Sequence, residues 1–317
     1  MKILVTPTSM QPGKKSVALE KLMQYSDDLV FNSKGRPLTE DELIELLPDC
    51  EGYIAGLDQI TGKVIESAPK LRAISRYGVG YERVDIEAAK RHGVVVTNTP
   101  GANSEAVGEL TIAMLLAVAR KVPYLDRTTR DGGWVRSNGV ELMGKTMGIM
   151  GLGAIGRVVA RCSAGFGMKV LAYDPYIDAA YCADHGIENC TFETILRESD
   201  VISLHLPLLD STRHIIDAEA ISKMKDGAIL LNASRGGLID EEAVYEALKT
   251  GKLGGLGMDA FETEPPKDSP LFEFENVVAT PHTGAHTQEA TANMARMSVE
   301  NLIAVLSGAE CPFIVNR

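Results

Sequence analysis

The sequence predicts an α/β fold built on parallel sheets, and three observations predict it. Short apolar runs alternate with segments of helical composition almost from end to end. The runs have no polar face, as expected of strands covered by helices on both sides. One of them leads directly into a glycine-rich turn that opens a helix, the start of a βαβ unit.

Taken in order, the first series of candidate strands covers residues 3–5, 52–55, 71–75 and 94–97, with helical composition over 14–25, 40–47 and 85–91. This series stops near Pro100. A long helical stretch follows from Ser104 to about Arg130, and a Gly-, Trp- and Ser-containing connection covers 132–144. The second series comprises strands at 146–150, 169–173, 201–204, 228–232, 256–259 and 277–280, with helices over 154–166 and 241–249. A last helix is expected over 287–307, and the sequence leaves open which sheet it covers. A chain of 317 residues suits two domains, at roughly one per 100–200 residues.

Hydrophobic residues make up 45% and charged residues 24%, ample for a core. The net charge of −11 argues against a nucleic-acid partner, because phosphate binding needs a basic surface. The five cysteines form no C-x-x-C pair, so reduced thiols in a cytoplasmic protein are expected, with no metal site. The first ten residues lack a signal-peptide pattern, and the apolar run 110–119 is too short to span a bilayer.

Gly151-Leu152-Gly153-Ala154-Ile155-Gly156 follows the strand 146–150 and opens the helix 154–166. Gly151 suits a tight turn, Gly153 a close backbone approach to a pyrophosphate, and Gly156 close packing of helix on strand. The next strand ends at Asp174, 18 residues beyond Gly156, where a ribose-binding acid belongs. Asp174 alone could equally be a turn cap before Pro175. Read with the turn, it predicts a dinucleotide site, and the acid favours NAD by repelling the 2′-phosphate of NADP.

Three further segments follow strands of the second series, at the sheet edge where ligands bind in open α/β folds. They bring Arg235, Glu264 and His282. Hydride transfer to a 2-oxo acid calls for these types: a bidentate cation for the carboxylate, an acid titrating near neutrality for the carbonyl oxygen, and a carboxylate to orient the imidazolium. Each alone could be a surface ion pair, a solvated loop acid or a loop histidine. His282 and His286 are four apart, but Pro281 and Gly284 argue for a loop rather than a metal-binding helix.

These segments, with Arg76-Tyr77-Gly78-Val79-Gly80, Asn98-Thr99-Pro100, 106–110 and 231–240, resemble the D-isomer-specific 2-hydroxyacid dehydrogenases, on the side of the phosphoglycerate dehydrogenases. The resemblance covers essentially the whole chain. It implies two Rossmann-like doubly wound domains, the substrate domain being discontinuous: residues 1–100 and 287–317 bind substrate, residues 101–286 bind NAD, and the site lies in the cleft. Arg235 would bind the substrate, His282 would be the acid/base, and Glu264 would be its partner. Gly78, Val79 and Gly80 would offer N–H groups to the carboxylate. Thr99, Ala154, Ile155, Asp174, Pro207, Thr212, Ala233 and Asp259 would lie along the cofactor.

The chain departs from the family at Tyr81-Glu82-Arg83, where Asp-Asn often follows the substrate loop. The regulatory serine-binding domain of longer phosphoglycerate dehydrogenases is not expected. Arg76 and Arg83 flank the loop and Arg136 stands beside Trp134 in the connection. These cations favour a small anionic substrate with a second anionic group, 3-phosphohydroxypyruvate ahead of glyoxylate or hydroxypyruvate; surface pairing with Glu82, Asp85 or Glu87 is the alternative. An NAD(H)-sensing co-repressor and a formate- or phosphite-type dehydrogenase are the other readings of the same fold. The apolar surplus of 104–130 leads to an expected homodimer, with one helix face turned to a second copy.

Overall fold

Among the described residues every ladder between strands is parallel, in two separate sheets of five and seven strands. The computed structural model describes residues 1–13 and 16–317. They divide into a unit of Met1–Asn103 with His286–Arg317, and a unit of Ser104–Ala285.

The first unit runs β1 (Ile3–Val5), α1 (Val17–Tyr25), β2 (Leu29–Phe31), α2 (Glu40–Leu46), β3 (Gly52–Ala55), α3 (Gly62–Glu66), β4 (Ala73–Arg76), α4 (Ile86–Arg91) and β5 (Val95–Thr97). The predicted start of the first helix, at 14–15, lies outside the described residues. The strand order is β2-β1-β3-β4-β5, so the chain reverses direction across the sheet between β1 and β3. Turns are capped as the residue types dictate; Thr39 and Glu42 close a reciprocal capping box on α2.

The second unit opens with α5 (Ser104–Ala119) and α6 (Val122–Arg130), where one long helix was expected. Pro123 explains the break: it has no N–H to donate, and its ring would meet the carbonyl four residues back. That carbonyl, of Ala119, accepts from Val140 N–H instead, at 2.8 Å, and Lys121 takes a left-handed φ of 53°. Then come β6 (Thr146–Met150), α7 (Ala154–Gly165), β7 (Lys169–Tyr173), α8 (Ala179–Asp184), β8 (Glu188–Asn189), α9 (Phe192–Glu198), β9 (Val201–Leu204), α10 (Ala218–Lys223), β10 (Ala228–Asn232), α11 (Glu241–Thr250), β11 (Leu253–Met258) and β12 (Val277–Ala279).

The seven strands are ordered β12-β11-β10-β9-β6-β7-β8, with the reversal between β6 and β9. This is the doubly wound arrangement, whose ligand crevice lies at the carboxyl ends beside the reversal. The inner strand β10 is buried at all five residues, and Leu230 and Leu231 alone contribute about 1.5–3 kcal/mol each by leaving water. Helix α5 lies flush on this sheet because glycines of β11 face it: a Cβ at Gly255 would stand 2.3 Å from Val118 Cγ1. On its other side, Gly108 of α5 lets α7 come close, since a Cβ there would stand 2.4 Å from Val158 Cγ1. Ile112, Met114, Leu115 and Val118 are buried within their own unit, while Leu110 and Leu116 are half-buried.

The final helix, α12 (Gln288–Ser307), returns to the first unit and packs on α1, β3 and β4. It buries Met294, Ala295, Val299, Leu302 and Leu306. Gly52 makes room for it, since a Cβ there would stand 2.9 Å from Leu306 Cδ1.

Candidate active site

The glycine turn is built as its residue types require. Gly151 has φ 97°, and a Cβ on it would stand 2.6 Å from the His205 carbonyl oxygen. A Cβ at Gly156 would stand 2.1 Å from the Gly151 carbonyl oxygen, so α7 can start only with glycine there. Gly153 is the N-cap of α7, with no side chain on the helix N–H groups and no atom within 4 Å of where a Cβ would be. Gly153 and Ala154 are exposed and Ile155 is half-buried. A helix N-terminus with bare N–H groups and an open approach fits a dinucleotide pyrophosphate.

Asp174, at the end of β7, accepts from Leu152 N–H through Oδ2 and from Tyr176 N–H through Oδ1, both at 2.8 Å. Asp174 therefore caps its own turn and is hydrogen-bonded into the glycine turn.

Along the same edge, Asn232 at the end of β10 donates from Nδ2 to the Arg235 carbonyl at 2.8 Å and accepts from Ser234 N–H at 3.1 Å. Ser234 Oγ donates to the Leu204 carbonyl at 2.6 Å. Arg235 projects half-buried from this turn and donates from one terminal nitrogen to the Ser234 carbonyl at 2.8 Å. Gly236 lies against the neighbouring segment: a Cβ there would stand 1.9 Å from the Phe261 carbonyl carbon and 2.1 Å from Glu262 N. The Arg235 turn is thereby seated on the segment that carries Glu264.

Glu264 Oε1 accepts from Phe261 N–H at 3.2 Å and from His282 Nδ1 at 2.8 Å. With Nδ1 oriented by the carboxylate, Nε2 points away from it, to where a reacting oxygen can come. His282 adopts φ 49°, uncommon for a residue with a Cβ. The turn is held by Asp259, which is only 2% exposed. Asp259 accepts from Thr280 Oγ1 at 2.6 Å, from Thr283 N–H at 2.7 Å and from Gly284 N–H at 2.8 Å. Expected along the cofactor, Asp259 is in the structure a brace of the His282 turn. Thr212 likewise closes a turn, donating to the Pro207 carbonyl at 2.7 Å and accepting from Leu209 N–H at 2.8 Å, while Pro207 itself is exposed. Ala233 packs half-buried against the core.

The first unit carries the expected substrate loop. Thr99 is fully buried, accepts from Gly78 N–H at 3.1 Å and donates its own N–H to the Gly78 carbonyl at 3.0 Å. Gly78 therefore gives its N–H to Thr99, and Val79 and Gly80 supply the remaining N–H groups of the loop. Arg76 corrects the sequence reading. It is 4% exposed, with Nε donating to the Gly80 carbonyl at 3.1 Å and a terminal nitrogen donating to the Ala55 carbonyl at 2.9 Å. Burial pushes its pKa down from the usual guanidinium value. A guanidinium that braces the loop from within the core is not the exposed phosphate cation expected from its position. Arg83 is exposed.

Two histidines escaped sequence reasoning. His214 Nε2 meets Glu262 Oε1 at 2.6 Å, a second histidine–carboxylate pair two residues from Glu264. Its partners are 48 residues apart, so no spacing announces it. His205 follows β9 beneath Gly151; its Nε2 meets Ser203 Oγ at 2.8 Å, and its Nδ1 is buried without a partner.

Residues 112–284 match the family model described as "D-isomer specific 2-hydroxyacid dehydrogenase, NAD binding domain". The chain is 43% identical to a D-3-phosphoglycerate dehydrogenase of Methanocaldococcus jannaschii, over 88% of this chain and 54% of that protein. It thus spans about half the length of that relative. It is 42% identical to a glyoxylate reductase of Korarchaeum cryptofilum, over 89% of this chain and 87% of that one. Among solved structures, the TT0316 protein of Thermus thermophilus superposes with a TM-score of 0.90 at 39% identity, over 99% of this chain and all of that one.

Proposed function

We propose, from the premise that the chain belongs to the D-isomer-specific 2-hydroxyacid dehydrogenases, that it transfers a hydride between NAD(H) and C2 of a small D-2-hydroxy/2-oxo acid through Arg235, His282 and Glu264. The observation that carries this reading is the His282 Nδ1–Glu264 Oε1 contact of 2.8 Å beside the seated Arg235 turn. Bound NAD(H) supplies or accepts the hydride. Gly151, Gly153, Ala154, Ile155 and Gly156 would hold its pyrophosphate, and Asp174 its ribose.

In the reducing direction, Arg235 binds the substrate carboxylate as a planar fork and draws charge toward the carbonyl oxygen. His282 gives the proton on Nε2 to that oxygen as C2 becomes tetrahedral. Glu264 stabilises the imidazolium before transfer and keeps the ring aimed. In oxidation, His282 takes the proton back. The N–H groups of Val79 and Gly80 are proposed to assist at the carboxylate.

Within the reaction class, the burial of Arg76 weakens the case for a second, phosphate anion on the substrate. Glyoxylate and hydroxypyruvate therefore stand ahead of 3-phosphohydroxypyruvate. The test is kcat/KM for the three oxo acids with NADH: a clear advantage for the phosphorylated one reverses this order, and turnover of none rejects the reading.

A homodimer is proposed as well. Helix α6 buries no residue, and the connection after it exposes Trp134 to 82% and Met143 to 79%. Apolar surface of this kind is rarely left to solvent. Sedimentation that shows only monomer at micromolar concentration would defeat it. The cysteines Cys50, Cys162, Cys182, Cys190 and Cys311 are all unpaired, which supports a reducing, cytoplasmic setting. No described helix is long and apolar enough to cross a membrane.

A further inference from the structure

Arg157 directly follows Gly156, in α7. Its Nε donates to the Leu152 carbonyl at 3.3 Å, while Asp174 accepts from the N–H of that same residue at 2.8 Å. A guanidinium and the ribose acid thus grip the two ends of one residue in the glycine turn. A cation in this position is what a 2′-phosphate on the ribose would seek.

The remainder of that guanidinium is tied down on the other side. A terminal nitrogen donates to Asp178 Oδ2 at 3.0 Å. Asp178 Oδ1 accepts from Tyr181 N–H at 3.0 Å and so caps α8. The Tyr181 N–H bond and then Arg157 hold the Asp178 carboxyl below its usual range. The guanidinium carbon lies 3.9 Å from the Tyr181 ring centre. The His185 ring stacks on Tyr181 at 3.9 Å and 20°, so the tyrosine is sandwiched between the two. His185 Nδ1 contacts the Tyr181 carbonyl at 2.9 Å, which fixes the stack to its own helix turn. Two groups after β7, Asp178 and Tyr181, thus hold Arg157 against α8, with His185 backing the tyrosine.

We propose that Asp178 and Tyr181 are specificity residues that sequester Arg157, so that NADP is rejected by a withheld cation as well as by the charge of Asp174. This inference rests on the reading of Asp174 as the ribose acid. It assigns the adenosine end two layers of discrimination: removing Asp174 alone relieves repulsion but offers the 2′-phosphate nothing to bind.

The test measures affinity for 2′,5′-ADP, with ADP as reference, in Asp174→Ser, in Asp174→Ser/Asp178→Ser, and in that double variant with Arg157→Gln added. Serine at 178 still caps α8 but is too short to hold Arg157. An exposed ion pair is weak, so the expected gain on adding Asp178→Ser is modest, about fivefold for 2′,5′-ADP, with little change for ADP. Adding Arg157→Gln should return the affinity to that of Asp174→Ser. No gain overturns the inference. A gain that survives Arg157→Gln also overturns it, because the lost charge then acts through the general field. Should the serine variant misfold, Asp178→Asn caps equally well without charge and serves the same comparison. If Asp174→Ser leaves the NADH-to-NADPH ratio of the parent unchanged, the ribose reading fails first, and this inference with it.

Discussion

Asp174 Oδ2 accepts the Leu152 N–H at 2.8 Å, so the acid ending β7 and the glycine turn after β6 form one hydrogen-bonded piece. The turn is therefore shaped by the same carboxylate proposed to meet the ribose.

Replacing Asp174 should act on both. In Asp174→Ala, the Leu152 and Tyr176 N–H groups lose their acceptor, and the charge that repels a 2′-phosphate is gone. NADH affinity should fall by about tenfold, the worth of one charge-assisted hydrogen bond. Preference over NADPH should narrow. Fluorescence titration of both cofactors checks it, and equal kcat/KM for NADH and NADPH in the unmutated protein contradicts it.

The proton-transfer pair gives a second prediction. His282→Asn removes the acid and should lower kcat by roughly 10²–10⁴. Glu264→Gln keeps an acceptor for Nδ1 but removes the anion, so the imidazolium loses its partner. Its kcat should fall less than that of His282→Asn, which rapid-mixing kinetics of both variants checks. Near-full activity of His282→Asn would reassign the acid.

The strands that position this site were legible because they are almost wholly apolar: β6, β9, β10 and β11 were all expected near their observed places. The missed strands are the short edges. Leu29–Phe31 is apolar but only three residues long and half-buried, too short a run to mark a strand, and Glu188–Asn189 is polar and exposed. Residue types named Arg235, Glu264 and His282, because the chemistry needs those groups on strand ends. Types could not tell which way a side chain turns. Arg76 ends β4 beside a glycine loop and reads as an exposed cation, yet its guanidinium runs inward to two backbone carbonyls. Asp259 directly follows β11, where a ligand contact is expected, yet two backbone N–H groups and a hydroxyl of the His282 turn claim its oxygens. Such partners are set by loop paths, which carry no periodicity.

Gly236 supplies a third prediction, through packing rather than charge. A methyl group there would fall within 2.1 Å of backbone atoms of Phe261 and Glu262. Backbone cannot move aside as a flexible side chain can, so Gly236→Ala must push apart the Arg235 turn and the Glu264 segment. A displacement of about 1 Å at reacting groups costs on the order of 10² in rate. kcat/KM should drop by that order while NADH affinity, proposed to be set at the glycine turn after β6 and at Asp174, changes little. Loss of NADH binding in step with activity would show that the substitution unfolds the unit instead.

Acid sensitivity should trace to His205. Its ring nitrogen Nδ1 is buried without a partner, and burial pushes the pKa down to about 4, against an ordinary value of 6.5. The folded state thus prefers the neutral ring. Stability from this group is full above about pH 6.5, falls as the unfolded chain gains a proton the fold refuses, and stops falling below about pH 4. At pH 5 the loss is roughly 1–2 kcal/mol, the lower figure allowing for the partial exposure of the residue. The consequence is local as well, because the His205 carbonyl lies where a Cβ on Gly151 would be, 2.6 Å away. Opening the end of β9 therefore loosens the glycine turn. His205→Gln, which keeps an amide near Ser203 Oγ but cannot be protonated, should be less stable at pH 8 yet lose less stability between pH 7 and pH 5. Its NADH affinity should also decline less over that interval. Denaturant titrations and NADH binding at the two pH values decide the matter: parallel losses in parent and variant would mean that another group governs the acid response.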